Sequence, residues 1–176
     1  TVVVSGGPML AGRYEGQDIS VSTVFEAAGK FESGQITKAE LHHMENSACP
    51  GCGSCSGLFT TNTMNCMTEV LGLGLPGNGT VPAAYFGARR MLAKQAGSVI
   101  LDMVKKDIKP RDIMTREAFE NAIAVDMAIG GSTNTVLHLP AIAHEAGVEL
   151  PLSLFDEISK KAAYITKLSP GCTYHM

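Results

Sequence analysis

The chain has 176 residues, of which 45% are apolar and 18% are charged, a composition typical of a domain with a hydrophobic core. Its formal net charge is −3, and no basic run is longer than two residues, as at Lys105–Lys106, so nothing indicates binding to nucleic acid or to a membrane surface. No apolar run approaches the roughly 20 residues that a membrane-spanning helix needs.

The first residues predict that the chain is an internal piece of a longer protein. It opens on a β-branched run, Thr1 to Val4, without an initiator methionine or a secretory leader. We expect Val2 to Ser5 to form a buried strand, which requires neighbouring strands. The glycines in Ser5 to Pro8 are interpreted as a plain exit from that strand, because neither common phosphate-loop pattern is present. Any site in this chain is therefore expected to be completed elsewhere.

Two helices are predicted before residue 47, after a surface loop at Tyr14 to Asp18. Ser20 or Ser22 would cap the first helix, and Ser33-Gly34 would end it. Residues Thr37 to Glu40 match a capping box, which predicts a second helix as far as about Asn46. The polar residues of that helix, His42, His43 and Glu45, are interpreted as a solvated face in preference to the surroundings of a metal.

The most distinctive pattern is a loop rich in cysteine and glycine at residues 48–57, called the cysteine loop below. It leads into a helix-like segment, Leu58 to Leu73. Cys49, Cys52 and Cys55 are spaced three residues apart in this loop. Thiols at the start of a helix are favoured as thiolates, the form that binds metals. The spacing also overlaps the C-x2-C-x2-C pattern of some iron–sulfur proteins. Spacing alone therefore favours metal binding over simple packing.

Other uses of the cysteines are weaker hypotheses. A structural zinc site would need a fourth ligand, and Cys172, His42 and His43 are the available residues. Disulfides are not expected in a chain with five cysteines and no leader. Cys66, inside the helical segment, is interpreted as a small buried hydrophobic residue.

The start of the helix after the cysteine loop is unusually polar. Thr60, Thr61, Asn62 and Thr63 stand in succession, where such side chains normally compete with helix hydrogen bonds. We expect this helix start to face a polar site, although capping could account for two of the four residues. Gly72 to Gly79 is predicted to end the helix in a turn.

The second half of the sequence predicts further helices. One begins at Pro82 and runs to about Gln95, another contains Ile100 to Val104, and Thr115 caps a third. After Gly130 to Asn134 a helix resumes to Ala146, with Val136, Leu137, Leu139 and a core His138 inside. Ser153 would cap a last helix, Leu154 to Ala163, followed by a short strand at Ile165 to Leu168. One strand and about seven helices suggest the helical side of a larger α/β domain.

The Gly130 to Asn134 segment has two equally supported interpretations. Glycine at a helix C-terminus followed by Ser, Thr and Asn is a common connection between two helices. The same arrangement can form a nest of backbone N–H groups that holds a carboxylate or a phosphate. Ser132, Thr133 and Asn134 are therefore candidates for contacts with a substrate.

Four separated motifs in this order resemble the dihydroxy-acid dehydratase family, within the wider group of sugar-acid and 6-phosphogluconate dehydratases. The resemblance covers essentially the whole chain and corresponds to an internal part of the family's N-terminal domain. It implies a three-layer α/β/α domain with a mostly parallel sheet, of which residues 1–176 are the helix-rich part, and a C-terminal domain outside this chain. The motifs are Ser5 to Met9, Cys49 to Gly57, Thr60 to Met64 with Pro76-Gly77, and Gly130 to Asn134 with Val136 to Leu139.

The resemblance changes the interpretation of the cysteines. In such enzymes three cysteines from distant parts of the chain hold an iron–sulfur cluster, of the two-iron or the four-iron kind, and Cys55 matches one of them. Cys49 and Cys52 would then be neighbours and not ligands. The other two cysteines, the magnesium ligands and a modified lysine would precede Thr1, and the catalytic base would follow Met176.

The implied activity is dehydration of a 2,3-dihydroxy carboxylic acid to a 2-keto acid in valine and isoleucine biosynthesis, with the cluster as Lewis acid and with Mg²⁺ bound. The alternatives are a sugar-acid dehydratase and a local metal-binding or electron-transfer module built on the three cysteines. The resemblance further implies a cytoplasmic enzyme that forms a homodimer. We expect the isolated chain to be inactive and to hold no intact cluster.

Overall fold

The computed structural model describes residues 1–176 and contains eight helices and two short strands. In chain order they are β1 (Gly12–Tyr14), β2 (Gln17–Ile19), α1 (Val21–Glu32), α2 (Lys38–Ala48), α3 (Thr60–Val70), α4 (Phe86–Lys105), α5 (Pro110–Ile113), α6 (Arg116–Ile129), α7 (Thr135–Ala146) and α8 (Ser153–Ser159).

The first two helices and the hairpin form one packed unit at the N-terminal side of the cysteine loop. The predicted capping box of α2 is confirmed, because Thr37 Oγ1 accepts from the Glu40 amide and the Glu40 carboxylate accepts from the Thr37 amide. The predicted loop at Tyr14 to Asp18 is wrong. Glu15 and Gly16 both have positive φ, which makes a tight turn and lets β1 and β2 pair antiparallel.

The main hydrophobic core lies between α3, α6, α7 and α8. Its largest side chains are supplied by residues that recur at helical spacing on each helix, so each contributes one apolar stripe. On α6 this stripe consists of Phe119, Ala122 and Ile123. Leu137 of α7, which was predicted to lie inside, is 68% exposed and outside the core. The fully buried members are Met67, Leu71, Phe119, Ala122, Ile123, Leu139 and Ala143.

Helix α4 corrects two predictions about the middle of the chain. Pro82 lies in the turn before α4 and not in its first turn, and the helix continues without a break through Gly97 to Lys105. A single mid-helix glycine costs only about 1 kcal/mol, which a helix of 20 residues tolerates. None of the eight helices combines the length and the apolar character that crossing a bilayer requires.

The fold class is α/β and helix-rich, as predicted, but the two-stranded antiparallel hairpin is its only sheet. Val2 to Ser5 and Ile165 to Leu168 are not strands, because the chain offers neither of them a strand to pair with. Instead Val3 N donates to Leu73 O at 2.7 Å and Ile165 N donates to Ala128 O at 2.9 Å. Helix α8 begins at Ser153 and ends at Ser159, four residues before the predicted end.

Candidate functional site

The cysteine loop joins α2 to α3, and its three thiols differ in their exposure to solvent. Cys49 and Cys52 are exposed, whereas Cys55 is half-buried. All three are free thiols, and the structure forms no group of three cysteine, histidine or acidic side chains that could hold a metal ion. The structure therefore gives no support to a local three-cysteine site. Any metal centre on this loop would need ligands from elsewhere.

The backbone around Cys55 is fixed by an unusual set of hydrogen bonds. Four consecutive carbonyl groups, of residues 54 to 57, accept from N–H groups outside the loop. Met9 N donates to Ser54 O at 3.2 Å and Met176 N donates to Ser56 O at 2.8 Å. The loop has no regular secondary structure, so its polar backbone groups need such external partners. These bonds tie Cys55 to both terminal segments of the chain.

Asn62 of α3 supplies the donors for the remaining two carbonyls. Its side-chain amide nitrogen donates to Cys55 O and, at 2.7 Å, to Gly57 O. Its amide oxygen accepts from Ser54 Oγ at 2.5 Å. Asn62 is completely buried, so these three bonds satisfy a polar group that would otherwise be costly to bury.

Gly53 allows the loop to approach the N-terminal segment closely. It has a φ of +120°, and a Cβ atom at this position would lie 2.6 Å from Met9 N. Beside this contact Ser54 N donates to Gly7 O at 3.0 Å. The predicted loop after Ser5 is thus confirmed as a loop, and its backbone packs directly against the cysteine loop.

The segment from Gly130 to Asn134, called the second loop below, contacts the start of α3. Asn134 Nδ2 donates to Thr60 Oγ1 at 2.5 Å, and Ser132 N donates to Thr63 Oγ1 at 3.0 Å. The hydroxyl groups of Thr60 and Ser132 lie 3.3 Å apart. The polar start of α3 therefore holds the cysteine loop through Asn62 and the second loop through Thr60 and Thr63.

Most backbone amides of the second loop are already bonded within the chain. Gly131 N donates to Asp126 O, Ser132 N to Thr63 Oγ1, and Asn134 N to Ser132 Oγ. This favours the helix connection, with Gly130 as its left-handed C-cap, over an open nest of N–H groups. The side chains of Thr133 and Asn134 are exposed and that of Ser132 is half-buried. Any contact with a substrate would therefore use these side chains.

A buried carboxyl group lies beneath the second loop. Asp126 is 4% exposed; its Oδ2 accepts from Thr135 Oγ1 at 2.7 Å, and its Oδ1 has no hydrogen-bond partner. Burial raises the pKa of this carboxyl group, and the bond from Thr135 offsets part of the increase. A Cβ atom on Gly131 would collide with Asp126 Oδ1, so this position requires glycine. Asp126 thus constrains the backbone of the second loop at Gly131 and holds Thr135 at the start of α7.

Cys66, His138 and the two histidines of α2 differ in burial. Cys66 packs against the main core but is half-buried, so the prediction of a buried residue holds only in part. Burial raises the pKa of its thiol to about 11. His138 is half-buried and is not a fully buried core residue. His42 and His43 are exposed on α2, which agrees with the predicted solvated face.

Sequence reasoning did not identify Asn62 and Asp126 as individual residues. The succession of polar residues at the start of α3 was the available signal for Asn62. For Asp126 the signal was an acidic residue at helical spacing from the apolar residues Ala122 and Ile123.

Cys55 fits the role of a single ligand to an iron–sulfur cluster. Its thiol is free and partly accessible, and its backbone is held from two sides. The structure places no second and third ligand beside it. A thiolate is the ligand that such clusters use.

Comparison with known proteins gives consistent matches over the whole chain. Residues 1–176 match the family described as dihydroxy-acid/6-phosphogluconate dehydratase N-terminal. The chain is 61% identical over 175 residues to a dihydroxy-acid dehydratase from Halothermothrix orenii, and the match covers 99% of this chain and 32% of the relative. Over 175 residues it is 59% identical to a dihydroxy-acid dehydratase from Moorella thermoacetica, with the same coverage. The chain thus spans about a third of the length of these curated relatives.

Proposed function

Because this chain belongs to the dihydroxy-acid/6-phosphogluconate dehydratase family, we propose that the protein of full family length is a hydro-lyase. It converts a 2,3-dihydroxy carboxylic acid into a 2-keto acid in the biosynthesis of valine and isoleucine. The observation that carries this proposal is the match of the entire chain to curated dihydroxy-acid dehydratases at 57 to 61% identity. The resemblance also supports a cytoplasmic homodimer.

We propose that Cys55 is the ligand that this chain contributes to an iron–sulfur cluster. When bound, the cluster would supply a Lewis-acidic iron for the departing 3-hydroxyl group, and Mg²⁺ would hold the substrate's carboxylate and 2-hydroxyl group. The chain's own contribution is a thiol on a backbone held by Met9, Asn62 and Met176. Ser132, Thr133 and Asn134 are proposed to contact the substrate from the neighbouring loop.

The hydroxyl and amide groups of that loop suit a polyol acid. Such side chains can donate to and accept from the substrate's hydroxyl groups without adding charge. Hydrogen bonds to Thr60 and Thr63 hold Ser132 and Asn134 in place, which lowers the entropy lost when a substrate is ordered. These residues therefore bind and orient; the proton at carbon 2 is removed by a base outside this chain.

We further propose that Val2 to Ser5 joins a mostly parallel sheet of a three-layer α/β/α domain in the longer protein. Two observations support this. The run is β-branched, and Val4 is 44% exposed. An apolar extended segment of this kind is stabilised by neighbouring strands.

Serine substitutions in the full-length protein test the proposed function. Cys55→Ser is expected to remove both turnover of a branched 2,3-dihydroxy acid and the stoichiometric iron and sulfide. Cys49→Ser and Cys52→Ser serve as controls in the same loop and are expected to retain both. Equal losses in all three variants would contradict the proposal and favour a local metal module.

A second candidate is dehydration of a sugar acid, because the family description also names 6-phosphogluconate dehydratase. Turnover measured with a branched dihydroxy acid, an aldonate and 6-phosphogluconate separates these candidates. A kcat/KM that is higher for either sugar acid would replace the first assignment with the second.

A further inference from the structure

We infer that Asn62 is a positioning residue that sets the direction in which the Cys55 thiol points. The inference rests on the proposed function, in which Cys55 is an iron ligand, and adds to it a residue that acts through the ligand's backbone. Asn62 itself does not reach the thiol: its recorded partners are the carbonyl groups of Cys55 and Gly57 and the hydroxyl group of Ser54.

The direction of the Cys55 side chain depends on the two peptide planes that flank its Cα atom. The preceding plane is held at Ser54 O, which accepts from Met9 N at 3.2 Å. The following plane is held at Cys55 O, which accepts from the Asn62 side chain. With both planes fixed, the Cα–Cβ bond has one direction, and rotation about χ1 is the only freedom left to the sulfur.

Asparagine is the residue type that these contacts require. Its amide offers two N–H donors and an acceptor oxygen within one short side chain, and all three are used here. An aspartate has the same shape, but it would place a second oxygen against two carbonyl oxygens. A glutamine would carry the amide one methylene too far for this closed site.

The surroundings of the Asn62 side chain are also closed to water, so its hydrogen bonds cannot easily be replaced when its amide is removed. Asn62 is fully buried and Ser56 is 3% exposed, so water has little access to replace the missing donors. The carbonyl groups of Cys55 and Gly57 would then turn towards other partners, and the Cys55 side chain would move with them.

The test uses the full-length protein reconstituted anaerobically, with Asn62→Ala and Asn62→Asp. The alanine variant removes the donors without placing a charge or a second oxygen in this buried site, so it is the variant expected to fold if the aspartate variant does not. Asn78→Ala and Asn78→Asp are matched controls, because Asn78 is equally buried and its side chain makes two hydrogen bonds, to Ser5 and Thr68 and not to the cysteine loop.

Four quantities are measured: bound iron per chain, the electron paramagnetic resonance spectrum of the reduced cluster, its reduction potential, and thermal unfolding of the apoprotein. We expect the Asn62 variants to bind iron about 10- to 100-fold more weakly, the range typical for residues that support a metal ligand. We also expect them to alter the spectrum and the potential. The Asn78 variants should lower thermal stability while retaining the wild-type spectrum and potential.

Two results would overturn the inference. One is a wild-type spectrum, potential and iron content in either Asn62 variant; the other is an equal change in the Asn78 variants, which would reveal a purely structural effect. Cys55→Ser separates this inference from the proposed function. If that variant retains the cluster, the proposed function fails and the inference with it; if it loses the cluster while an Asn62 variant is unchanged, the inference alone fails.

Discussion

Asn134 donates a hydrogen bond to Thr60 across 74 positions of sequence, at a distance of 2.5 Å. Ser132 Oγ also lies 3.3 Å from Thr60 Oγ1. The Thr60 hydroxyl group therefore contacts two side chains of the second loop. The geometry of the second loop therefore depends on Thr60, which belongs to a motif far away in the sequence.

Thr60→Val tests that dependence, because valine keeps the shape of threonine and removes the hydroxyl group. We expect a loss of about 1 kcal/mol in the free energy of unfolding, the usual value for such bonds. Hydrogen exchange of the amides at residues 130 to 135 should become faster. Thr61→Val is the control, since Thr61 is exposed on the same turn and should leave exchange in this loop unchanged. Equal exchange in Thr60→Val and the wild type would contradict the prediction.

Gly53→Ala is expected to destabilise the contact between the cysteine loop and the N-terminal segment. The new methyl group would lie 2.6 Å from Met9 N, and the φ of +120° is unfavourable for alanine. We expect a loss of ~2 kcal/mol or more in denaturant unfolding. Gly51→Ala is the matched control, because a Cβ atom there would meet nothing within 4 Å. The prediction is wrong if the two variants unfold at the same denaturant concentration.

The buried carboxyl group of Asp126 predicts a pH dependence of stability. Its pKa is raised in the folded state, so the fold binds this proton more tightly than the unfolded chain does. The resulting stability is present below the ordinary carboxyl pKa and is lost as pH rises through the folded value. Asp126→Asn should therefore gain thermal stability relative to the wild type on going from pH 4 to pH 7.

The exposed carboxylate Asp102, replaced by asparagine, is the control for this comparison, because an exposed group should produce no such trend. A difference in melting temperature between Asp126→Asn and the wild type that is the same at both pH values would contradict the assignment.

Cysteine alkylation should follow exposure and thiol pKa. Burial raises the pKa of Cys66 to about 11, so only about a thousandth of this thiol is ionised near pH 8. Cys49 and Cys52 are exposed and should react with iodoacetamide well before Cys66. Tandem mass spectrometry of the folded chain measures the order, and denatured protein, in which the difference should vanish, provides the control. Early labelling of Cys66 would contradict the raised pKa and the half-buried position of its thiol.

The isolated chain should not assemble a stoichiometric cluster, since it groups no three potential ligands. Anaerobic reconstitution followed by iron and sulfide analysis measures this directly. One intact cluster per chain would contradict both the geometry and the assignment of Cys55 as a single ligand.

Local signals in the sequence predicted the parts of the fold that local contacts stabilise. The capping box at Thr37 and Glu40 and the glycine C-cap at Gly130 use partners only a few residues away, and both are confirmed. The break predicted in α4 is wrong because a favourable 20-residue helix outweighs one glycine. The hairpin was not predicted because three-residue strands carry almost no periodic signal.

The candidate site was only partly predictable, for a related reason. The pattern drew attention to Cys55 and to residues 132 to 134, but it did not reveal that both segments rest on the same helix turn. Those contacts join residues about 70 positions apart, and no spacing rule encodes them. The role of Asn62 was hidden too, because its partners lie in an irregular loop.

The hydrogen bond from Met176 to Ser56 has a consequence for the order of assembly during synthesis. Contacts between residues so far apart form late, because closing a long loop of chain costs entropy before the contact stabilises it. The ribosome must release residue 176 before the backbone beside Cys55 reaches its final shape. If Cys55 is a cluster ligand, as proposed, iron delivered earlier would meet this loop before its backbone is fixed, so metal loading is expected to follow folding of this region.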